Sequence, residues 1–203
     1  MTPMNVMKEL DLLVEHTSMQ LKRMFPNVRL YYENSRTRET EMETANMVAE
    51  EVGFQFSEFE GRRRGVVVQM NKKGCPIDYR IVRPFNKSKR PNPEVFAMME
   101  IKRRYNDKYA FEDLRISSDK WAAGFARCMM GLPTILVIQW DDCTEWVPMD
   151  LEIYDYVLWG RTDRDDTADF EVCACVDLDE FRPINCLFDY LKPRYLEVYK
   201  NDG

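Results

Sequence analysis

Phe96-Ala97-Met98-Met99-Glu100-Ile101-Lys102 is an apolar run that ends in a carboxylate and an ammonium one residue apart. Its composition suits a buried strand, and strand side chains alternate between faces. Phe96, Met98, Glu100 and Lys102 then share one face, and Val95, Ala97, Met99 and Ile101 share the other. A carboxylate able to hold a hard cation beside a lysine able to polarise a water or a phosphate oxygen is a pairing suited to phosphodiester chemistry. Alone, Glu-x-Lys is also an ordinary charge pair at a strand end. Its meaning depends on the residues around it.

The flanks are basic. Between residues 62 and 108 lie Arg62, Arg63, Arg64, Lys72, Lys73, Arg80, Arg83, Lys87, Lys89, Arg90, Lys102, Arg103, Arg104 and Lys108, against Asp78, Glu94, Glu100 and Asp107. The whole chain nevertheless carries a formal charge of −6, because aspartates crowd its last third. Such asymmetry can orient a polyanion on one side of a molecule, although solvated turns account for Lys72 and Lys73 equally well.

Upstream, Met4, Met7, Leu10, Leu13, Val14, Leu21 and Met24 recur at helical spacing and predict a helix over 4–24. A second helix is expected over 37–52, with Ala45, Val48, Ala49 and Val52 inward, Glu41 one turn earlier on that face, and Gly53 as its stop. Strands are expected over 54–59, 65–70 and 77–82, the last containing Asp78, followed by a basic loop at 86–93.

Downstream, 103–115 reads as loop. Ser117 or Ser118 can cap a helix to about Met130 with Trp121, Phe125, Cys128 and Met129 inward, and 134–140 reads as a buried strand. A strand, a helix and a second apolar strand make a parallel βαβ unit the default. Strands over 146–158 and 170–178 and a helix within 181–199 complete the reading, and the acidic loop at 160–169 lacks the glycine and final glutamate of an EF-hand.

Other chemistries are disfavoured. His16 is the lone histidine, which removes Ser-His-Asp triads and imidazole-dependent nucleases, and the six scattered cysteines contain no CxxC pair, so buried reduced thiols are expected. No apolar run approaches the roughly 18–20 residues that span a bilayer, so a cytoplasmic protein without membrane contact is expected. At 203 residues the chain can form a single domain.

The order of helix with Glu41, strands, Asp78, Glu100-Ile101-Lys102, helix and final strand resembles the PD-(D/E)xK nuclease superfamily, over about 37–140. Ile116 to Trp121, followed by Gly131-Leu132-Pro133-Thr134 and its strand, looks like the helix-strand half of resolvase-like and phage-type members. The resemblance implies an α/β fold: a mixed central sheet flanked by helices, with a restriction-endonuclease-like core of helix, three-strand meander, helix and strand. The 4–24 helix and a 141–203 extension lie outside that core.

It further implies Asp78, Glu100 and the Ile101 carbonyl as metal ligands, Lys102 as the catalytic lysine and Glu41 as the helix glutamate. Asp78 follows Ile77 where the family often has proline, with Pro76 one place earlier, and its gap to Glu100 is long. The implied activity is Mg²⁺-dependent DNA cleavage, with Mn²⁺ as a substitute; structure-selective cutting and nicking both agree with it. Arg62, Arg63, Arg64, Lys87, Lys89, Arg90, Arg103, Arg104 and Lys120 would contact the nucleic acid, and a resolvase-like activity would call for a homodimer. The competing expectations are a catalytically silent module of this fold that binds nucleic acid or a protein, and an RNase-H-like enzyme that needs no strand lysine.

Overall fold

The computed structural model describes residues 35–60, 67–71, 75–82, 95–153, 155–160 and 170–199. The expected 4–24 helix, His16, the 86–93 loop and the basic residues Arg62, Arg63, Arg64, Lys87, Lys89 and Arg90 lie outside them.

Helix α1 spans Ser35–Glu60 and strands β1 (Val67–Met70), β2 (Tyr79–Val82) and β3 (Val95–Arg103) follow. Strand β4 (Asp113–Ser117) leads into α2 (Ser118–Met129), then β5 (Thr134–Gln139) and β6 (Thr144–Pro148). Strands β7 (Tyr156–Gly160), β8 (Phe170–Asp177) and the short β9 (Arg182–Pro183) precede α3 (Leu187–Tyr199). One sheet runs β1-β2-β3-β5-β6-β9 and the other β4-β8-β7. The meander β1-β2-β3 is antiparallel and β5 joins β3 in parallel, as a βαβ unit requires. The large sheet is therefore mixed and flanked by helices, which agrees with the expected fold.

Its two faces bury different cores. One packs Val48, Val52 and Phe56 of α1 and Leu191 and Tyr195 of α3 against Ile81, Met99 and Val137. The other packs Trp121 of α2 and Leu114, Ala174 and Val176 of the small sheet against Leu136 and Ile138. Both layers meet on β3 and β5.

Several expectations need correction. The helix does not stop at Gly53, nor is 54–59 a strand, because Phe56 continues the inward stripe and packs on Phe96, Phe188 and Tyr195. That burial outweighs the roughly 1 kcal/mol that a mid-helix glycine costs relative to alanine. The 103–115 segment is not all loop: it contains β4, and a buried Lys108–Glu145 ion pair (2.6 Å) fastens its start.

The face alternation of β3 fails at its beginning. Ile81 pairs with Ala97 and Val82 with Val95, so Phe96 is an extra residue, a β-bulge, and joins the Met99 and Ile101 side while Val95 joins that of Met98. On α2, Gly124 rather than Met129 faces inward, Met129 is exposed, and Phe125 and Cys128 are half-buried. Finally, all six cysteines are free, but only Cys173 is buried.

Candidate active site

The site forms where strand pairing ends. Tyr79, the first residue of β2, is the farthest partner along β3, opposite Met99, so residues 100–103 are paired on the β5 side alone among the described residues. Asp78 stands just ahead of β2 and reaches into this notch. Its backbone is held by Asn71, whose amide donates to the Asp78 carbonyl (2.7 Å) and whose side chain donates to the Ile77 carbonyl (2.8 Å). Buried Ile77 anchors the same segment from the core side.

Glu100 is fully buried, at 0% exposure, yet lies at the centre of the charges. Its Oε2 accepts the Asp78 amide (3.1 Å) and the Lys120 ammonium (3.1 Å). Its Oε1 lies 3.0 Å from the ammonium nitrogens of both Lys102 and Lys120, but at angles that leave it without a hydrogen bond. The attraction at that atom is coulombic rather than directional.

Lys102 Nζ also lies 3.5 Å from Glu41 Oε1 and 3.9 Å from Asp78 Oδ2, and Lys120 Nζ donates to Asp78 Oδ2 at 3.0 Å. Glu41 is buried on the inward stripe of α1, whereas Glu43, two residues further on, is exposed. Glu41, Asp78, Glu100 and Lys102, from three distant segments of the chain, thus converge, and Lys120 joins them.

Burial pushes the Glu100 carboxyl above the usual range, and the two lysines only partly offset it. For Lys102 the balance is reversed: burial disfavours its charge, but Glu100, Glu41 and Asp78 more than compensate and hold the ammonium above the ordinary lysine value. Lys102 is therefore a permanent cation near neutral pH and cannot serve as a base there.

The Ile101 carbonyl turns to the same notch. The Met98 and Arg104 amides donate toward β5, to Pro133 and Gln139, and alternation then directs the peptide groups of Ile101 to the opposite side, where Asp78 lies.

Of the other basic residues expected to contact nucleic acid, Arg103 is turned inward. Its guanidinium pairs with Asp141 and donates to the Gln139 carbonyl (2.9 Å). Arg104 donates to the Arg115 carbonyl (3.1 Å). Lys120 stands among the carboxylates rather than out on the surface. A position three residues into a helix gives no sequence signal for that placement, since it requires the βαβ unit to lay α2 across the notch. Also unforeseen is Gln139, whose side chain takes the Thr44 hydroxyl beside Glu41 and ties α1 to the end of β5. Ser117 precedes α2 but its side chain makes no cap bond.

Hard oxygen donors dominate the cluster: three carboxylates and a carbonyl, a set suited to Mg²⁺ or Mn²⁺ rather than to zinc. The Glu100 oxygen that lacks a hydrogen bond is the position such an ion would satisfy. As they stand, no three histidine, cysteine or carboxylate groups among the described residues are close enough to chelate an ion. The two ammonium groups lie among the carboxylates and neutralise them.

No curated protein matches the chain in sequence. Among solved structures, a nuclease from a fusselovirus superposes with a TM-score of 0.51 at 10% identity, covering 84% of this chain and 99% of that one, which shows a common fold. No helix among the described residues is long and apolar enough to cross a membrane. The family model described as "Phage putative PDDEXK endonuclease" matches residues 27–184, from before α1 to the start of the segment leading into α3, and the chain belongs to that family.

Proposed function

We propose that this chain is a metal-dependent endodeoxyribonuclease whose reaction takes place at Glu100. The observation that carries the reading is the convergence of Asp78, Lys102 and Lys120 on one buried carboxylate, with Glu41 completing the group. Asp78, Glu100 and the Ile101 carbonyl would hold Mg²⁺, or Mn²⁺ in its place, with Glu41 beside them. When bound, such an ion lowers the pKa of its water and accepts charge from phosphate oxygens.

The protein's own groups supply the rest. Lys102, held protonated, donates to the water or to a non-bridging phosphate oxygen and stabilises the extra negative charge of the transition state. Lys120 approaches from α2 and is placed to take a second phosphate oxygen. Asn71 fixes the Asp78 backbone and Gln139 steadies α1, so the carboxylates are positioned before substrate arrives. Arg62, Arg63, Arg64, Lys87, Lys89 and Arg90 add phosphate contacts, which position DNA without reading its sequence. Cutting both strands at once would need two copies of the site, and sedimentation at working concentration tests for that homodimer.

The test is cleavage of supercoiled plasmid in Mg²⁺ or Mn²⁺, with EDTA controls. Wild type should cut only with metal. Glu100→Gln should abolish cutting, Lys102→Ala should lower kcat by roughly 10²–10³, the size expected for one lost charge-stabilising donor, and Lys120→Ala by less. Circular dichroism checks that the variants are folded. Cutting that survives Glu100→Gln, or that is indifferent to EDTA, would sink the reading, and full activity in Lys102→Ala would favour an RNase-H-like mechanism instead.

A further inference from the structure

We propose that Trp159 is a stacking platform for an unpaired base of the substrate strand; this rests on the nuclease reading and names the kind of strand the site prefers. The small sheet buries one face against the large sheet through Leu114, Ile116, Ala174 and Val176. Its other face carries Arg115, Ser117, Glu171 and Trp159, as the register sets them: Arg115 opposite Cys175, Ser117 opposite Cys173, and Trp159 opposite Glu171. The indole is 49% exposed, whereas Trp121, Trp140 and Trp146 are buried. Cys173, on the same face, is buried, so the exposed indole marks the open end of that face.

Its ring is already in stacking use. The Arg115 guanidinium lies 3.9 Å from the ring centroid, and Asp113 fixes its orientation through an Nε contact of 2.9 Å. The guanidinium thus lies in cation–π contact over the indole, which holds the ring in place while half of it stays exposed.

The platform is joined to the active site through Arg104. This residue follows the end of β3, two along from Lys102, and its guanidinium crosses to the Arg115 carbonyl at 3.1 Å. Ser117, three residues before Lys120, is two strands across and one same-face row along from Trp159. At normal strand spacing that is roughly 12 Å. A strand running from the start of α2 to the indole would bridge that interval with about three or four nucleotides at the duplex rise of about 3.4 Å, and with fewer when stretched.

A ring on a sheet surface cannot enter an intact duplex, whose base faces cover one another, so its ligand is a base already unpaired, as in a flap, a gap or a frayed end. Asp113 and Glu171 share the face, so it is no broad cationic patch. Retention there depends on stacking, and salt should hardly affect that contribution.

Intrinsic fluorescence tests this without cleavage. In EDTA, the full-length protein is titrated with a twelve-residue oligothymidylate and with a blunt twelve-base-pair duplex. The oligothymidylate should quench the exposed tryptophan. By anisotropy of labelled strands, Trp159→Ala should bind it about tenfold or more weakly, with unchanged salt slope and duplex affinity within about twofold, and Trp159→Phe should recover most of the loss. Unchanged oligothymidylate binding in Trp159→Ala, an equal loss on duplex, or an altered salt slope would each overturn the platform. A wild type that cuts DNA while Trp159→Ala binds normally refutes only the platform. A wild type that never cuts, with binding still selectively lost in Trp159→Ala, refutes only the nuclease.

Discussion

At Glu100 the requirements of chemistry and of folding oppose each other. The side chain has no exposure, its pKa is pushed up chiefly by burial, and Lys102 and Lys120 recover only part of what desolvation costs. A carboxyl whose folded pKa lies above its unfolded value contributes stability at pH below the unfolded value, and loses that contribution as pH rises through the folded one. Relative to Glu100→Gln, metal-free wild type should therefore lose stability as pH rises from the ordinary carboxylate range toward neutral and above. At neutral pH the variant should be at least as stable as wild type while catalytically dead. Urea unfolding of both proteins in EDTA across that range measures the difference, and a Glu100→Gln that is clearly less stable at pH 8 contradicts it. Such a result would mean that the ammonium groups, left with one carboxylate fewer, matter more to the fold than the buried charge does. This buried carboxylate was legible in the sequence as a charge ending an apolar run, and so was Lys102. Lys120 could be named from the resemblance its segment carries, but not its place among the carboxylates, because helix spacing carries no information on which strand end a helix crosses.

Helix α2 delivers Lys120, and the depth at which it sits depends on Gly124. A Cβ built there would contact the Met149 sulfur and come 2.9 Å from the Met149 Cβ, a fully buried side chain whose near end cannot swing away. Gly124→Ala should therefore destabilise the protein by about 1–3 kcal/mol despite alanine's better helix propensity, the usual cost of overpacking. It should also raise α2 off the sheet and lower cleavage through Lys120. Because the two side chains share the space, Gly124→Ala with Met149→Ala should be less destabilised than the sum of the singles. Urea titrations of the three variants check this, and simple additivity would show that Met149 is not the obstacle. At this scale the elements with strong patterns were readable: β5 over 134–139 and α2 over 118–129 fall almost as expected. What was hidden depended on tertiary packing. Gly53 reads as a stop until Phe56 is seen to fill the α1–α3 interface, β4 has alternation too short to notice, and the Phe96 bulge is invisible without the β2 partner.

For the molecule as a whole, the site lies where both cores meet, at the point where β2 stops pairing with β3 while β5 continues. An ion held by Asp78, Glu100 and the Ile101 carbonyl would therefore link the meander that carries Asp78 to the strand at the centre of the sheet. Any such ligand that favours the folded state raises stability by RT ln(1 + [L]/Kd), about 2.7 kcal/mol at one hundred times Kd. For a chain of 150–250 residues each kcal/mol moves Tm by roughly 2–4 °C, so Mn²⁺ at that excess should raise wild-type Tm by about 5–10 °C. Lys102 and Lys120 already occupy the same carboxylates as counter-charges, so the ion competes with them and the gain falls toward the lower figure. In Glu100→Gln the shift should nearly vanish, since the amide replaces the one carboxylate that all the other charged groups converge on. Thermal melts with and without Mn²⁺ decide it. An equal shift in both proteins would place the ion elsewhere. No shift in wild type at millimolar Mn²⁺ would mean that the two ammonium groups outcompete the ion until a phosphate draws one of them away.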